Sequence, residues 1–206
     1  MISDSGGWRR AGPANLVARF LLAGVTLAMG ASGAAAAGEG AAAARIAALA
    51  VSPQDGTLWV GTPGGLLRSG DQGRTLMPVA LPAKAPAAEV TGVGVGPRAP
   101  WAIYVATGGE GILRSEDSGK TWATANSSLD GLNIRGLAIA PNDARLHAQV
   151  RGKGLFRSMD GAKTWERVDD GPAGAMYVLA SVNISTGMGG IFLYAGTDQG
   201  LVKGPD

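Results

Sequence analysis

The sequence predicts an all-β fold, a β-propeller built of four-stranded antiparallel blades, with about three and a half blades present. Three observations carry that expectation. The frame Ser-x-Asp-x-Gly-x-Thr-Trp occurs as Ser115–Trp122 and, altered, as Ser69–Leu76 and Ser158–Trp165, starting 46 and 43 residues apart. Each copy is entered through Gly-apolar-apolar-Arg, at residues 65–68, 111–114 and 154–157. Pro53, Pro97 and Pro141 recur every 44 residues, each closing a short alternating run. Proline fits such strand ends because no ladder N–H is needed there. A period of this length, divided into short strands by tight turns, is that of one propeller blade.

Before the repeats lie two segments of other kinds. Residues 1–37 read as an export signal: Arg9, Arg10 and Arg19, then an apolar run from Phe20 to Met29, then small residues to Ala37. Those are the three parts of a secretory signal, with cleavage expected after Ala36 or Ala37. The competing reading is an uncleaved anchor over residues 20–37, near the lower length limit for a span. Residues 38–44 are a low-complexity, disordered spacer.

Blades follow at 45–86, 89–130 and 133–173, with a partial one at 176–206. In the first, Leu49 and Val51 alternate as a half-buried strand should. Leu58–Thr62 and Gly65–Ser69 make the second and third strands, and Thr75–Leu81 the fourth. The second and third blades copy this plan, the second closing on residues 121–125. The fourth has counterparts of three strands only, and Asp206 falls where Asp71, Asp117 and Asp160 stand. The expectation is therefore a last blade without a fourth strand, giving either an imperfect four-bladed ring or an open arc completed by another chain. Exposed strand edges invite pairing, so self-association through the incomplete blade is expected.

The frame suits a turn between two strands. Aspartate accepts backbone N–H bonds from residues just beyond it. Glycine supplies a left-handed conformation. Threonine re-enters a strand, and tryptophan packs between sheets. In the third copy Gly161-Ala162 replaces x-Gly, which implies a turn shifted by one residue or strained. In the first, Leu76 stands for tryptophan as a smaller plug.

These residues resemble the Asp-box, or bacterial neuraminidase repeat, of sialidases, xyloglucanases, sortilin-type receptors and photosystem II assembly factors. In texture the short Gly-Leu-x-Arg-Ser-x-Asp blades are most similar to the assembly-factor group. The resemblance covers residues 45–206 and implies the fold, not an activity. It implies structural turns at Ser69, Asp71, Gly73 and Thr75, at Ser115, Asp117, Gly119, Thr121 and Trp122, at Ser158, Asp160, Thr164 and Trp165, and at Asp206.

Composition narrows the function classes. The chain of 206 residues has no cysteine, which excludes disulfides and thiolate chemistry. Of 18 basic and 16 acidic residues, residues 1–37 hold Arg9, Arg10, Arg19 and Asp4, leaving 15 against 15. A neutral remainder argues against a nucleic-acid partner, and a membrane partner is expected only if the N-terminal segment stays attached. Each box offers one carboxylate plus hydroxyls, too few for a dedicated calcium site, so neither metal nor cofactor is expected.

Arg68, Arg114, Arg157 and Lys203 repeat as cations read as paired with neighbours such as Glu116. His147, the one histidine, aligns with Trp59, Tyr104 and Tyr194, an aromatic packing slot. Asn126 and Asn183 head glycosylation sequons expected to be unused, and the loop 185–190 is a candidate contact site. Asp130, Asp143, Asp169 and Asp170 lie in turns with no evident pairing, whereas a glycosidase needs two facing carboxylates. The expectation is an exported, non-catalytic module that binds protein or glycan or scaffolds an assembly. The alternative is part of a carbohydrate-active hydrolase.

Overall fold

The computed structural model describes residues 9–10, 45–82, 89–141, 145–168, 176–184 and 190–205. They form sixteen strands in four antiparallel four-stranded sheets, a four-blade propeller arrangement. After a short N-terminal strand β1 (Arg9–Arg10), blade 1 comprises β2 (Ala48–Val51), β3 (Leu58–Thr62), β4 (Gly65–Ser69) and β5 (Met77–Val79). Blade 2 comprises β6 (Val90–Val95), β7 (Ile103–Thr107), β8 (Ile112–Ser115) and β9 (Ala123–Thr124). Blade 3 comprises β10 (Ile134–Ile139), β11 (Leu146–Val150), β12 (Gly154–Ser158) and β13 (Glu166–Val168). Blade 4 contains β14 (Met176–Ile184), β15 (Gly190–Thr197) and β16 (Gly200–Pro205).

The last blade corrects an expectation. Its sheet has the order β1-β16-β15-β14, with Arg9 opposite Lys203 and Arg10 opposite Val202. A fourth strand is therefore present, and it comes from the N-terminal segment. The rest of the expected export signal, the spacer, the loop tip 185–189, Asp143, Asp169, Asp170 and Asp206 lie outside the described residues.

The outer strands are shorter than the sequence implies. They begin at Met77, Ala123 and Glu166, two residues past each box threonine. The hydroxyls of Thr75, Thr121 and Thr164 still donate to the box aspartates, which keeps those residues in the turn.

Second strands are the most buried elements; every residue of β7 and β11 is buried. Strands covered on both faces read as continuous apolar runs, as these do around one polar exception each. Blades join through their inner strands, and the sequence provides for it with small residues. A Cβ at Gly92 would lie 2.9 Å from the Leu137 Cβ, and one at Gly94 would lie 2.3 Å from the Ile139 Cδ1. Leu137 and Ile139 of blade 3 thus lie against the glycine-bared face of blade 2. Thr91 adds a hydrogen bond across the same junction, donating from Oγ1 to the Ile134 carbonyl at 2.8 Å.

Candidate functional site

The three boxes share one hydrogen-bond pattern. Ser69, Ser115 and Ser158 donate from Oγ to Oδ1 of Asp71, Asp117 and Asp160 at 2.7, 2.8 and 2.8 Å. The same serine oxygens accept from the backbone N–H of Gly73, Gly119 and Ala162 at 2.8, 2.8 and 2.9 Å. Each aspartate then accepts twice from its threonine. The backbone N–H of Thr75, Thr121 and Thr164 reaches Oδ1 at 2.9, 2.8 and 2.9 Å, and Oγ1 reaches Oδ2 at 2.7, 2.6 and 2.6 Å.

Donors so arranged favour the ionised carboxylate. The Thr75 hydroxyl, then its N–H, then Ser69 hold Asp71 at about 2, and Thr121 and Ser115 do the same for Asp117. At Asp160 burial pushes upward most strongly, yet Thr164 and Ser158 together still bring the group to about 2.

The third box neither shifts nor loses a bond. Ala162 stands at the glycine position with φ of 67°, beside Gly161 at 74°, matching Gln72-Gly73 at 65° and 86° and Ser118-Gly119 at 59° and 82°. The register is kept at the cost of a non-glycine residue in the left-handed region.

Each box in blades 2 and 3 packs on the blade before it. A Cβ on Gly119 would lie 2.5 Å from the Trp59 ring of blade 1, and one on Gly161 would lie 3.3 Å from the Tyr104 hydroxyl of blade 2. Trp165 is buried and donates from Nε1 to the Ala125 carbonyl of blade 2 at 2.8 Å. Trp122 packs against the blade 1 cluster of Trp59 and Leu66. Leu76 is not a smaller plug: it is exposed.

The repeated cations fall opposite the aromatic slot. Cross-strand register pairs Trp59 with Arg68, Tyr104 with Arg114, His147 with Arg157 and Tyr194 with Lys203. The Arg114 guanidinium lies 5.9 Å from the Tyr104 centroid, and the Lys203 ammonium 3.6 Å from that of Phe192. Arg114 also pairs with Glu116, and Arg157 with Glu166 at 2.7 Å. His147 is buried in its slot.

Sequence reading did not single out the feature that draws all four blades together. At the N-terminal end of the inner strands a polar cavity of about 310 Å³ is lined by Arg45, Glu89, Thr91, Arg135, Met176 and Tyr177, among others. Glu89 Oε1 stands 4.0 Å from Arg135 Nη1, and both side chains are partly exposed. The signal available in the sequence was a charged or polar residue at or beside the start of each inner strand: Arg45, Glu89, Arg135 and Tyr177. Asn126, by contrast, is occupied: its Oδ1 accepts from Ile112 N–H at 2.7 Å and its Nδ2 donates to the Glu110 carbonyl at 3.0 Å.

Architecture and site together define a class, the small-bladed β-propellers with turn boxes on the blade periphery. Solved structures of that architecture resemble the chain. They include the GH74 xyloglucanase from Xanthomonas campestris (TM-score 0.56, 21% identity, 73% of this chain and 27% of that one). YCF48 bound to a D1 peptide is another (TM-score 0.51, 18% identity, 74% and 47%). A third is the extracellular domain of the hybrid two component system BT4673 from B. thetaiotaomicron (TM-score 0.57, 17% identity, 80% and 20%). The chain thus spans less than half the length of each. At such identities the likeness is one of fold. No protein-family profile and no curated protein matches the sequence.

Proposed function

We propose that this chain is a non-catalytic Asp-box propeller module acting outside the cytoplasm, which binds a protein or glycan partner at the axial end of its inner strands. The observation that carries this reading is the polar cavity to which every blade contributes, with Arg45, Glu89 and Arg135 around it. Ligand sites gather where elements converge and a few polar groups face inward. Glu89 is the single carboxylate among the described residues lining that cavity, and it lies toward Arg135, whereas glycoside hydrolysis uses two facing carboxyl groups. The box aspartates support a structural role, because their oxygens already accept from their own turns. The signal-like pattern of residues 1–37 supports the location, as do neighbours described as extracellular.

The test is a screen of the purified protein against glycan and peptide arrays, with Arg135→Ala as the comparison. The expected result is a ligand whose affinity falls at least fivefold in R135A while the melting temperature stays within two degrees or so, since a half-exposed ion pair contributes about 0–1 kcal/mol. Hydrolysis of chromogenic glycosides, abolished by Glu89→Gln, would overturn the proposal in favour of a catalytic propeller.

A further inference from the structure

We propose that the outer edge of β16 is a docking site for an extended segment of a partner protein, one carrying an acidic residue two positions before a β-branched or other apolar residue. The argument comes from comparing the third strands of the four blades, which align residue for residue. Leu66, Ile112, Leu155 and Leu201 share one position, and Arg68, Arg114, Arg157 and Lys203 another.

In blades 1 to 3 the first of these positions is covered from the outside. Val79 stands opposite Leu66 and Val168 opposite Leu155, while Ala125 donates its N–H to the Ile112 carbonyl at 2.8 Å. Leu66, Ile112 and Leu155 are accordingly 2%, 0% and 1% exposed. In blade 4 the outer strand is only Arg9–Arg10, which stands opposite Lys203 and Val202 and stops short of Leu201. Leu201 is 51% exposed. The position that is dry in three blades is open in the fourth.

The second position tells the same story in charge. Blade 3 shows what an outer strand can supply to the third-strand cation: Glu166 lies opposite Arg157 and accepts from its Nε and Nη2 at 3.0 and 2.7 Å. In blade 4 the residue opposite Lys203 is Arg9. Like charges directly opposite in an antiparallel pair are unfavourable, and opposite charges favourable. So β1 covers two residues of the edge with the wrong sign of charge and leaves the apolar position unfilled. An extended segment reading Glu-x-Val in blade 3's register would satisfy both, and main-chain hydrogen bonds to a free strand edge supply the rest of the affinity. Cleavage of the N-terminal segment at the position expected for an export signal would clear the edge altogether.

The probe is a fluorescein-labelled heptapeptide, Thr-Trp-Glu-Arg-Val-Asp-Asp, copying residues 164–170, titrated into the full chain by anisotropy. Saturable binding is expected, weakened about tenfold by Leu201→Asp and by Lys203→Glu. That tenfold corresponds to roughly 1.4 kcal/mol, the sum of a lost favourable pair and a new repulsive one. A peptide with lysine in place of its glutamate should bind poorly to the parent chain and recover on K203E, a rescue that misfolding cannot mimic. Arg9→Glu should compete, tightening β1 and weakening the peptide. Absence of binding, or binding indifferent to the charge swap, overturns the proposal. So does a concentration-dependent dimer that excludes the peptide, which would assign the edge to a second copy of the chain.

Discussion

Asp71, Asp117 and Asp160 each accept hydrogen bonds from a serine and a threonine of their own turn, and the consequence is a dependence of stability on pH. Their folded-state values of about 2 lie below the ordinary 3.8. A carboxylate depressed on folding binds fewer protons in the folded state than in the unfolded one. Its contribution is therefore full above about pH 4 and is lost as pH falls toward 2. Urea midpoints measured from pH 5 to 2 should drop across that window, and the triple Asp→Asn variant should be less stable at pH 5 with a flatter profile. A parent profile as flat as the variant's would refute the linkage. The glycine position offers a second prediction. Gly119→Ala combines a left-handed backbone at φ of 82° with a Cβ 2.5 Å from the Trp59 ring, so a loss of about 2 kcal/mol or more in chemical denaturation is expected. Blade 3 accepts alanine at the equivalent position because Tyr104, not tryptophan, occupies the facing slot of blade 2. Box residues were legible in the sequence because their spacing repeats. Their preference for alanine or glycine was not, because the side chain that decides it belongs to another repeat.

At the scale of single elements, each box belongs as much to the preceding blade as to its own. Trp165 makes this measurable, since its Nε1 donates to the Ala125 carbonyl. The indole of Trp122 is half-buried, and its Nε1 has no hydrogen-bond partner among the described residues. Phenylalanine keeps an apolar ring but deletes the donor. Trp165→Phe should therefore cost about 1–2 kcal/mol through the lost bond and the orphaned carbonyl, and Trp122→Phe less. Thermal melts of the two variants check the order, and equal losses would show that packing alone sets the role of both residues. Most strands were readable from alternation and turn residues. The outer ones were read too long because the threonines look like strand formers, yet their hydroxyls remain committed to the aspartates. The strand that completes blade 4 was unreadable for a different reason. Arg9-Arg10 has no strand pattern, and its partner lies almost two hundred residues away in sequence.

Over the whole molecule, the inner strands show where the ring has its seam. Val93 packs in the cluster of blade 1, and Leu137 lies against Gly92 of blade 2, so this position faces the preceding blade. Its equivalent in blade 1 is Leu49, which faces the side of blade 4 and is 58% exposed. Val51 beside it, and Val178 from the opposite side, are exposed as well. Periodicity announced four blades, but closure depends on a junction between the first and last repeats, which no local pattern encodes. The seam makes a prediction that separates it from the other junctions. Leu137→Ser removes an apolar side chain from a packed interface and should cost about 2 kcal/mol, in line with burying a leucine. Leu49→Ser occupies the same position in the repeat, but it touches little and should fall within about 0.5 kcal/mol of the parent. Denaturant midpoints, with the slope shown to be unchanged, give the comparison directly. Equal losses at the two positions would mean that Leu49 is covered in solution, and that the first and last blades meet as closely as blades 2 and 3 do.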